Sequence, residues 1–166
     1  MICEQRVTDK VKGAGPNGIP GDYDDGLPQT YEQFFKLCDK IAAYQDFTPV
    51  SWPGTYAAQH LEGLLETLVA DYEGAANISR RINFSGSQKL ASFDADGKVS
   101  IADDGKVVLD SKETPIGANN GYDVFRQAGI YYGLSFIEKL IKTSKYYNEN
   151  TAFGTYSQRD AQDDFI

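Results

Sequence analysis

The chain contains one histidine, His60, which limits the catalytic arrangements that it can build. His60 lies at the edge of the apolar face of a predicted helix, where a boundary or interface residue is typical. Glu62 and Glu66 stand one turn apart and could act as acid and base only if buried, whereas the face they share is the polar one. We therefore predict no catalytic site, although a nucleophile that meets His60 only in the folded chain stays open.

Two acidic groups have the residue types that bind a hard cation. Asp94 and Asp96 resemble the opening of a calcium-binding loop, in which alternate carboxylates converge on the ion. Lys98 fills the third acidic position, no glutamate closes the loop, and a tight turn between strands explains the same residues. Asp22 and Asp24 form the second group. The sequence therefore predicts no metal and no cofactor, and cation binding by either group stays an open alternative.

The composition favours a soluble chain with one hydrophobic core. Its 166 residues are 41% hydrophobic, which is enough for one ordinary core but cramped for two. With 16 basic and 24 acidic residues, the formal net charge is −8, which argues against direct binding to nucleic acid. The chain shows no basic and apolar leader and no run of about 18 apolar residues, so we expect no membrane segment and a cytoplasmic location.

Both ends of the chain are predicted to be arms. Residues 1–28 include a stretch dense in glycine and proline, which excludes regular structure and predicts an extended N-terminal arm. Residues 148–166 are polar, with Phe153, Tyr156 and Phe165 as isolated apolar positions. Spaced aromatic residues are what a tail needs to dock along another surface, and a disordered terminus is the alternative.

Two amphipathic helices are predicted before residue 83. The first runs from Tyr31 to about Tyr44, and Thr30 followed by Gln33 has the spacing of a capping box at its start. The second begins at about residue 55 and ends at residue 78 or 82, with Gly74 as a residue that could end it earlier.

The longest apolar-periodic run, from Gly121 to Tyr147, predicts a central helix. Its apolar arc covers more than half of the circumference, so we expect the two earlier helices to pack against it. Gly129 and Gly133 predict close approach of another backbone, because an interior glycine costs about 0.5–1 kcal/mol relative to alanine and needs compensation. If Tyr131, on the otherwise polar side, is also buried, we expect the β insertion or another subunit to cover it.

The hydrophobic period changes between residues 84 and 114. Short β-prone segments alternate there with turns at Asp96-Gly97 and Asp104-Gly105, which predicts a hairpin or a small three-stranded meander. The insertion has few large side chains and cannot be stable alone. We expect it to lean on the helices or to project as an arm that a neighbour completes.

Together these elements predict a fold that is mainly α, a compact three-helix bundle with an inserted β-hairpin or small meander at about 84–114 and extended N- and C-terminal arms. The predicted organisation is an arm at 1–28, a helical domain at 29–147 and a polar tail at 148–166.

The arms and the polar insertion favour a structural or assembly subunit that binds further copies of itself, other structural proteins of an assembly, or both. This plan is similar to that of the small helical, acidic subunits of bacteriophage necks, which connect head and tail; the likeness is one of architecture, without a sequence motif. It implies a protein without enzymatic activity, present in the cytoplasm of the producing cell and in the virion. The interface candidates are Tyr23, Trp52, Gly129, Tyr131, Gly133, Phe153, Tyr156 and Phe165.

The alternative is a soluble helical enzyme or ligand-binding domain with an aromatic pocket. Its rings would come from Tyr44, Trp52, Tyr72, Tyr131 and Tyr132. Aromatic residues at helical spacing more often belong to a core than to a pocket.

Overall fold

The computed structural model describes residue 19 and residues 27–43 and 48–163. This part of the chain is mainly helical, with a small two-stranded antiparallel sheet. Most of the predicted N-terminal arm lies outside the described residues, as do Tyr23, Tyr44 and Phe165 and the acidic pair Asp22 and Asp24.

The helices are α1 (Tyr31–Ala42), α2 (Ala57–Asn83), α3 (Ala128–Lys142), α4 (Glu149–Phe153) and α5 (Gln158–Asp163). The 3-10 helices are Gly54–Tyr56, Gly121–Arg126 and Ser144–Tyr146, and strand β1 (Ser87–Gln88) pairs antiparallel with β2 (Thr114–Pro115). The chain divides into two compact units. Unit 1 comprises the described residues up to 60 and from 139 onward, and unit 2 comprises residues 61–138.

Helix α1 of unit 1 begins where the capping box predicts. The Thr30 hydroxyl oxygen accepts the N–H of Gln33 at 3.2 Å, and Gln33 Oε1 accepts the N–H of Gln29 at 2.6 Å. Phe35 and Cys38 form its buried side. Burial raises the pKa of the Cys38 thiol to about 11, so this cysteine stays a neutral, unreactive core residue at neutral pH.

The prediction of an extended C-terminal arm is wrong for the described residues, because α4 and α5 are helical and partly buried. Ala152 of α4 and Ala161 of α5 are buried. The Ser51 hydroxyl donates to the carbonyl oxygen of Ala161 at 3.1 Å, and the N–H of Thr55 donates to that of Tyr156 at 3.2 Å. The Phe153 ring also contacts Trp52, so residues near position 50 help to hold this segment, which the pattern within the segment cannot show.

In unit 2, helices α2 and α3 approach each other closely at two glycines of α3. A Cβ atom on Gly133 would lie 2.7 Å from Leu65 Cδ1, and one on Gly129 would lie 3.3 Å from the carbonyl oxygen of Val69. The predicted close approach of another backbone is thus confirmed. Glu73 Oε1 accepts the N–H of Gly129 at 2.7 Å, so a carboxylate from α2 satisfies a free donor of the first turn of α3.

Helix α2 has a kink at Gly74, whose φ of 73° and ψ of 167° are non-helical and are accessible almost only to glycine. The sequence predicts that Gly74 could end the helix. In the structure the helix resumes after the kink and continues to Asn83.

The prediction of one continuous helix from Gly121 to Tyr147 is wrong. A 3-10 helix occupies Gly121–Arg126, and Gln127 is extended with φ −59° and ψ 139° before α3 begins. The buried Gln127 amide donates to the carbonyl oxygen of Asn77 at 3.2 Å and to Gln88 Oε1 at 3.1 Å. These long-range hydrogen bonds fix the break, and no local apolar pattern contains them.

The β insertion is a meander in which the chain doubles back twice. Between β1 and β2, isolated β-bridges pair Ala91 with Leu109, Phe93 with Val99, and Ile101 with Val107. Three backbone hydrogen bonds link the three segments of the meander in a closed ring. The N–H of Ser92 donates to the carbonyl oxygen of Val108 at 2.8 Å. The N–H of Val108 donates to the carbonyl oxygen of Ser100, and the N–H of Ser100 donates to that of Ser92, both at 2.9 Å.

The ring reflects an internal repeat that the sequence prediction misses. Its three positions are eight residues apart, and the same spacing separates Asp96-Gly97-Lys98-Val99 from Asp104-Gly105-Lys106-Val107. Gly97 and Gly105 have positive φ values of 75° and 80°, as their turns require.

The meander leans on α3, which is one of the two predicted arrangements. The N–H of Val107 donates to the Tyr132 hydroxyl oxygen at 2.8 Å. A buried cluster of Ala91, Val107 and Ala128 packs against Val99, Tyr131 and Tyr132. The neighbour that partly buries Tyr131 is therefore the meander.

The three-helix bundle and the domain boundaries 1–28, 29–147 and 148–166 stay predictions. Among the described residues, no helix is both long and apolar enough to cross a lipid bilayer.

Candidate interaction surface

Two segments of unit 2 lie side by side at the C-terminal end of α2. The Phe84 ring packs on Gly121, where an added Cβ atom would lie 2.6 Å from Phe84 Cδ1. The Arg81 guanidinium lies over the Phe125 ring, 5.6 Å from its centroid. These two contacts join residues 81–84 to the 3-10 helix at 121–126.

The joined segments expose four large apolar side chains, which we call the aromatic surface: Ile82, Phe84, Tyr122 and Phe125. Their exposed fractions are 70%, 48%, 71% and 62%. Side chains of this size and exposure present on the order of 500 Å² of mainly apolar area. That is at the upper end for the largest patch of a typical monomer, and roughly two thirds of one side of a standard protein interface.

The backbone holds Phe84 in an unusual conformation. Phe84 has a φ of 47°, the left-handed region that a bulky residue rarely adopts and that costs roughly 1–2 kcal/mol. This conformation turns the chain sharply after α2 ends at Asn83. The ring then reaches Gly121, where only glycine leaves room for it. The exposed position of Phe84 is thus fixed by backbone geometry and not by a flexible loop.

Arg81 supports the aromatic surface from beneath. Its side chain is only 14% exposed, and Nη2 lies 2.6 Å from Glu66 Oε1 of the same helix. Burial of a guanidinium is tolerated because this carboxylate neutralises it. The Glu66 carboxylate therefore offsets the charge of the guanidinium that lies against Phe125.

Asn120 fixes the turn that carries Tyr122. Asn120 Oδ1 accepts the N–H of Gly117 at 3.0 Å. Its Nδ2 donates to the carbonyl oxygen of Pro115 at 2.8 Å and to Asp123 Oδ2 at 3.1 Å. One side-chain amide therefore holds three points of the turn, and Tyr122 is presented by an ordered backbone.

Arg126 attaches the same 3-10 helix to the meander. Its Nη2 donates to Asp110 Oδ2 and to the carbonyl oxygen of Ala91, each at 3.0 Å. The guanidinium also lies 5.4 Å from the centroid of the Phe93 ring. The Ser92 hydroxyl donates to Asp110 Oδ1 at 2.6 Å, which completes the cluster.

The meander has an apolar surface of its own. Phe93, Ile101 and Leu109 occupy equivalent positions of the eight-residue repeat and are exposed to nearly the same extent, 43%, 43% and 42%. The residues two positions earlier in each repeat, Ala91, Val99 and Val107, face α3. The repeat therefore places small apolar side chains on the face that α3 covers and larger ones on the exposed face.

Trp52 and Phe153, two of the predicted interface residues, lie in unit 1 and contact each other. Trp52 is 6% exposed, and its ring centroid lies 5.2 Å from that of Tyr147 and 5.7 Å from that of Phe153. Tyr147 and Phe153 are 5.5 Å apart. We call these three residues the Trp52 cluster; Trp52 is buried, Tyr147 is partly buried and Phe153 is 45% exposed.

The other predicted interface residues belong to either unit or lie outside the described residues. Gly129 and Gly133 are buried against α2 inside unit 2. Tyr131 is partly buried under the meander, and Tyr156 in unit 1 is exposed. Tyr23 and Phe165 lie outside the described residues. Of the predicted interface residues, the structure brings Trp52 and Phe153 into contact in unit 1.

Of the rings of the alternative aromatic pocket, three lie together in unit 2, and Tyr44 is outside the described residues. Tyr72 and Tyr132 lie 4.5 Å apart and Tyr131 and Tyr132 lie 5.8 Å apart in unit 2, whereas Trp52 belongs to unit 1. Rings at these separations contact one another, which is the arrangement of a packed cluster. Burial, together with the neighbouring Tyr132, raises the pKa of Tyr72 to about 12.

Among the residues considered for catalysis and cation binding, Glu66 and Asp94 make structural contacts. His60, Glu62 and Glu66 are exposed, and Glu66 pairs with Arg81. Asp94 Oδ1 accepts the N–H groups of Asp96 and Lys98, both at 2.9 Å, so this carboxylate closes a turn of the meander. Within residues 27–43 and 48–163, no three histidine, cysteine or acidic side chains are grouped as a metal site.

The sequence prediction misses the aromatic surface because it places Phe125 on the apolar stripe of a continuous helix. One available signal is Asn119-Asn120-Gly121, a turn sequence that argues against helix at this point. The exposure of Ile82 and Phe84 has no comparable signal, because it depends on the side chains beneath them.

Comparison of the chain with protein-family models, with curated protein sequences and with solved structures gives no match. The geometry of the aromatic surface is therefore the basis for a functional proposal.

Proposed function

We propose that the protein is a structural subunit of a larger assembly and that the aromatic surface binds a neighbouring subunit. The observation that carries the proposal is the exposure of four large apolar side chains on a fixed backbone. An exposed aromatic patch of this size costs solubility and is typical of a protein–protein contact.

The anchoring of these side chains supports the proposal. Phe84 is held by Gly121, Phe125 by Arg81 and Tyr122 by the Asn120 turn. Side chains that are already ordered lose little conformational entropy on binding, which favours affinity. A loop that exposed the same residues by chance would not need these three supports.

The class of assembly is a further part of the proposal. The chain is acidic, mainly helical and arm-bearing by its N-terminal composition, as are the small ring-forming subunits of bacteriophage necks. On this architectural comparison the neighbours are further copies of the chain or other proteins of a head-to-tail connector. The protein would then occur in the producing cell and in the virion, without enzymatic activity.

Molar mass measured by light scattering over a concentration series tests the proposal. We expect the mass to rise above that of one chain as concentration increases, and limited proteolysis to cleave the N-terminal 25 residues less readily in the associated form. A chain that stays monomeric throughout and whose termini resist protease without a partner would contradict an assembly role.

Substitutions test the aromatic surface itself. The double change Tyr122→Gln and Phe125→Gln should abolish or strongly weaken association while leaving the melting temperature nearly unchanged, because both side chains are mostly exposed. Leu134→Gln is the matched control, since Leu134 is 50% exposed on α3 and lies outside the surface. Association that survives the double change, or that is lost equally in the control, would show that another surface is used.

A further inference from the structure

We propose that Asn120-Gly121 is a site of spontaneous deamidation that the fold holds in check. An asparagine followed by glycine is the dipeptide most prone to this reaction, because glycine has no Cβ atom to hinder attack by its backbone nitrogen. In the structure this dipeptide stands at the start of a 3-10 helix, where the Asn120 side chain is hydrogen-bonded and Gly121 lies against the Phe84 ring. The inference concerns the chemistry of the turn and does not depend on the proposed function.

The reaction has two balanced steps. The Gly121 backbone nitrogen attacks the Cγ atom of Asn120, loses its proton to solvent, and expels the side-chain nitrogen as ammonia, which leaves a five-membered succinimide. Water then opens the ring at either carbonyl to give aspartate or isoaspartate. The net change exchanges an amide for a carboxylate, consumes one water molecule and needs no other reactant.

The fold opposes the first step by engaging both polar atoms of the Asn120 side chain in hydrogen bonds. Attack requires the side chain to rotate so that Cγ faces the Gly121 nitrogen. In the structure Oδ1 accepts the N–H of Gly117, and Nδ2 donates to the carbonyl of Pro115 and to Asp123. All three hydrogen bonds must break before the rotation, so the reaction proceeds only from the locally opened turn.

The same contacts explain why a reactive dipeptide occupies this position. Gly121 cannot be replaced without displacing Phe84, because a Cβ atom would lie 2.6 Å from the ring. Asn120 supplies one acceptor and two donors to the turn, a combination that aspartate cannot match. The geometry thus requires both members of the pair.

Deamidation would remove the restraint that prevents it. An aspartate at 120 would place an oxygen where Nδ2 donates to Pro115 and would oppose its charge to that of Asp123. Isoaspartate would in addition lengthen the backbone by one carbon beside Gly121. Either product loosens the turn. A single deamidation at Asn120 therefore leaves the turn permanently altered.

Peptide mapping of the full chain during incubation at mildly alkaline pH measures the conversion directly. Asn17-Gly18, which lies outside the described residues, is an internal reference because it is the same dipeptide. In denaturant we expect Asn17 and Asn120 to convert at similar rates. In native buffer we expect Asn120 to convert about tenfold or more slowly than in denaturant, as its local opening requires. Equal native and denatured rates at Asn120 would overturn the inference.

Two substitutions separate the restraint from general stability. Asp123→Ala removes one acceptor of Nδ2 and should speed native conversion at Asn120 while leaving the denatured rate unchanged. Asn120→Asp mimics a product and should lower the melting temperature, whereas Asn119→Asp, at the exposed neighbouring position, should not. If Asp123→Ala leaves the native rate unaltered, or if both aspartate variants melt alike, the proposed restraint is wrong.

Discussion

The Trp52 cluster of unit 1 and the aromatic surface of unit 2 contain similar side chains, but only the Trp52 cluster includes a ring that is almost fully buried. In the cluster, Trp52 contacts the rings of Tyr147 and Phe153 and is almost fully buried. In the surface, Phe84 and Phe125 are supported from below by a glycine and by a paired arginine, and their outer faces are exposed. The three rings of the Trp52 cluster contact one another, and these contacts bury Trp52. Phe84 and Phe125 are contacted on one side only, so their outer faces could contact a partner.

The comparison shows why residue type alone does not locate an interface. Trp52, which composition marks as an interface candidate, is a core residue, and Phe125, which periodicity marks as a core residue, is exposed. The deciding property is the surroundings of each ring in the fold. Changes that affect the two groups differently therefore test the account.

The largest expected difference comes from truncating a ring in each group. Trp52→Ala should lower the free energy of unfolding by about 3–5 kcal/mol, because it empties a packed site. Phe125→Ala should change it by less than about 0.5 kcal/mol, because the ring is mostly exposed. Urea unfolding of the two variants measures both values, and similar losses would break the distinction between core and surface.

A backbone change tests whether α2 requires the non-helical conformation of Gly74. Gly74→Ala should cost about 1–3 kcal/mol, because alanine adopts a φ near 73° only with strain. Gly63→Ala is the matched control: a Cβ atom there meets nothing within 4 Å and the backbone is helical, so a gain of about 0.5–1 kcal/mol is expected. Thermal unfolding that moves both variants in the same direction would contradict the role of Gly74.

The parts of the fold that follow from local interactions are predictable from the sequence. The start of α1 follows from Thr30 and Gln33, and the meander turns follow from two Asp-Gly pairs. The break at Gln127 is not predictable in this way, because its hydrogen bonds reach Asn77 and Gln88 across the fold. The helical C-terminal segment escapes prediction for the same reason.

The candidate site shows the same division between local and long-range information. Gly129 and Gly133 are identified from their spacing as points of close approach, and the structure confirms that reading. The exposure of Tyr122 and Phe125 depends on a 3-10 helix that apolar periodicity conceals. Asp94, which resembles the opening of a calcium-binding loop in the sequence, accepts two backbone N–H groups of its own turn, a structural role that its Asp-Gly context also predicts.

A smaller effect is expected from pH in unit 1. Burial and the hydrogen bond to Asp39 raise the pKa of Tyr146 from 10.0 to about 12, so the folded chain keeps this proton more tightly than the unfolded chain. The resulting stabilisation is complete below pH 10 and is lost as pH rises toward 12. Tyr146→Phe should remove this part of the alkaline loss, measured by urea unfolding at several pH values. An identical alkaline profile in the variant would show that Tyr146 is not the responsible group.

The smallest expected effect on stability comes from replacing Phe125, a residue of the proposed interface. Phe125→Gln should unfold at nearly the same denaturant concentration as the unsubstituted chain, because the ring contributes little to the core. A large destabilisation would mean that the ring is buried in solution. The aromatic surface would then belong to the fold rather than to an interface.

Hydroxyl-radical labelling of the chain at low and high protein concentration, read residue by residue, tests the account most directly. Each residue is compared with itself in the denatured chain, which removes differences in intrinsic reactivity. We predict strong labelling of Tyr122 and Phe125 in the dilute chain, marked protection of both on association, and weak labelling of Trp52 at either concentration. Unchanged labelling of Tyr122 and Phe125 in the associated chain would contradict the proposal that this surface binds a neighbouring subunit.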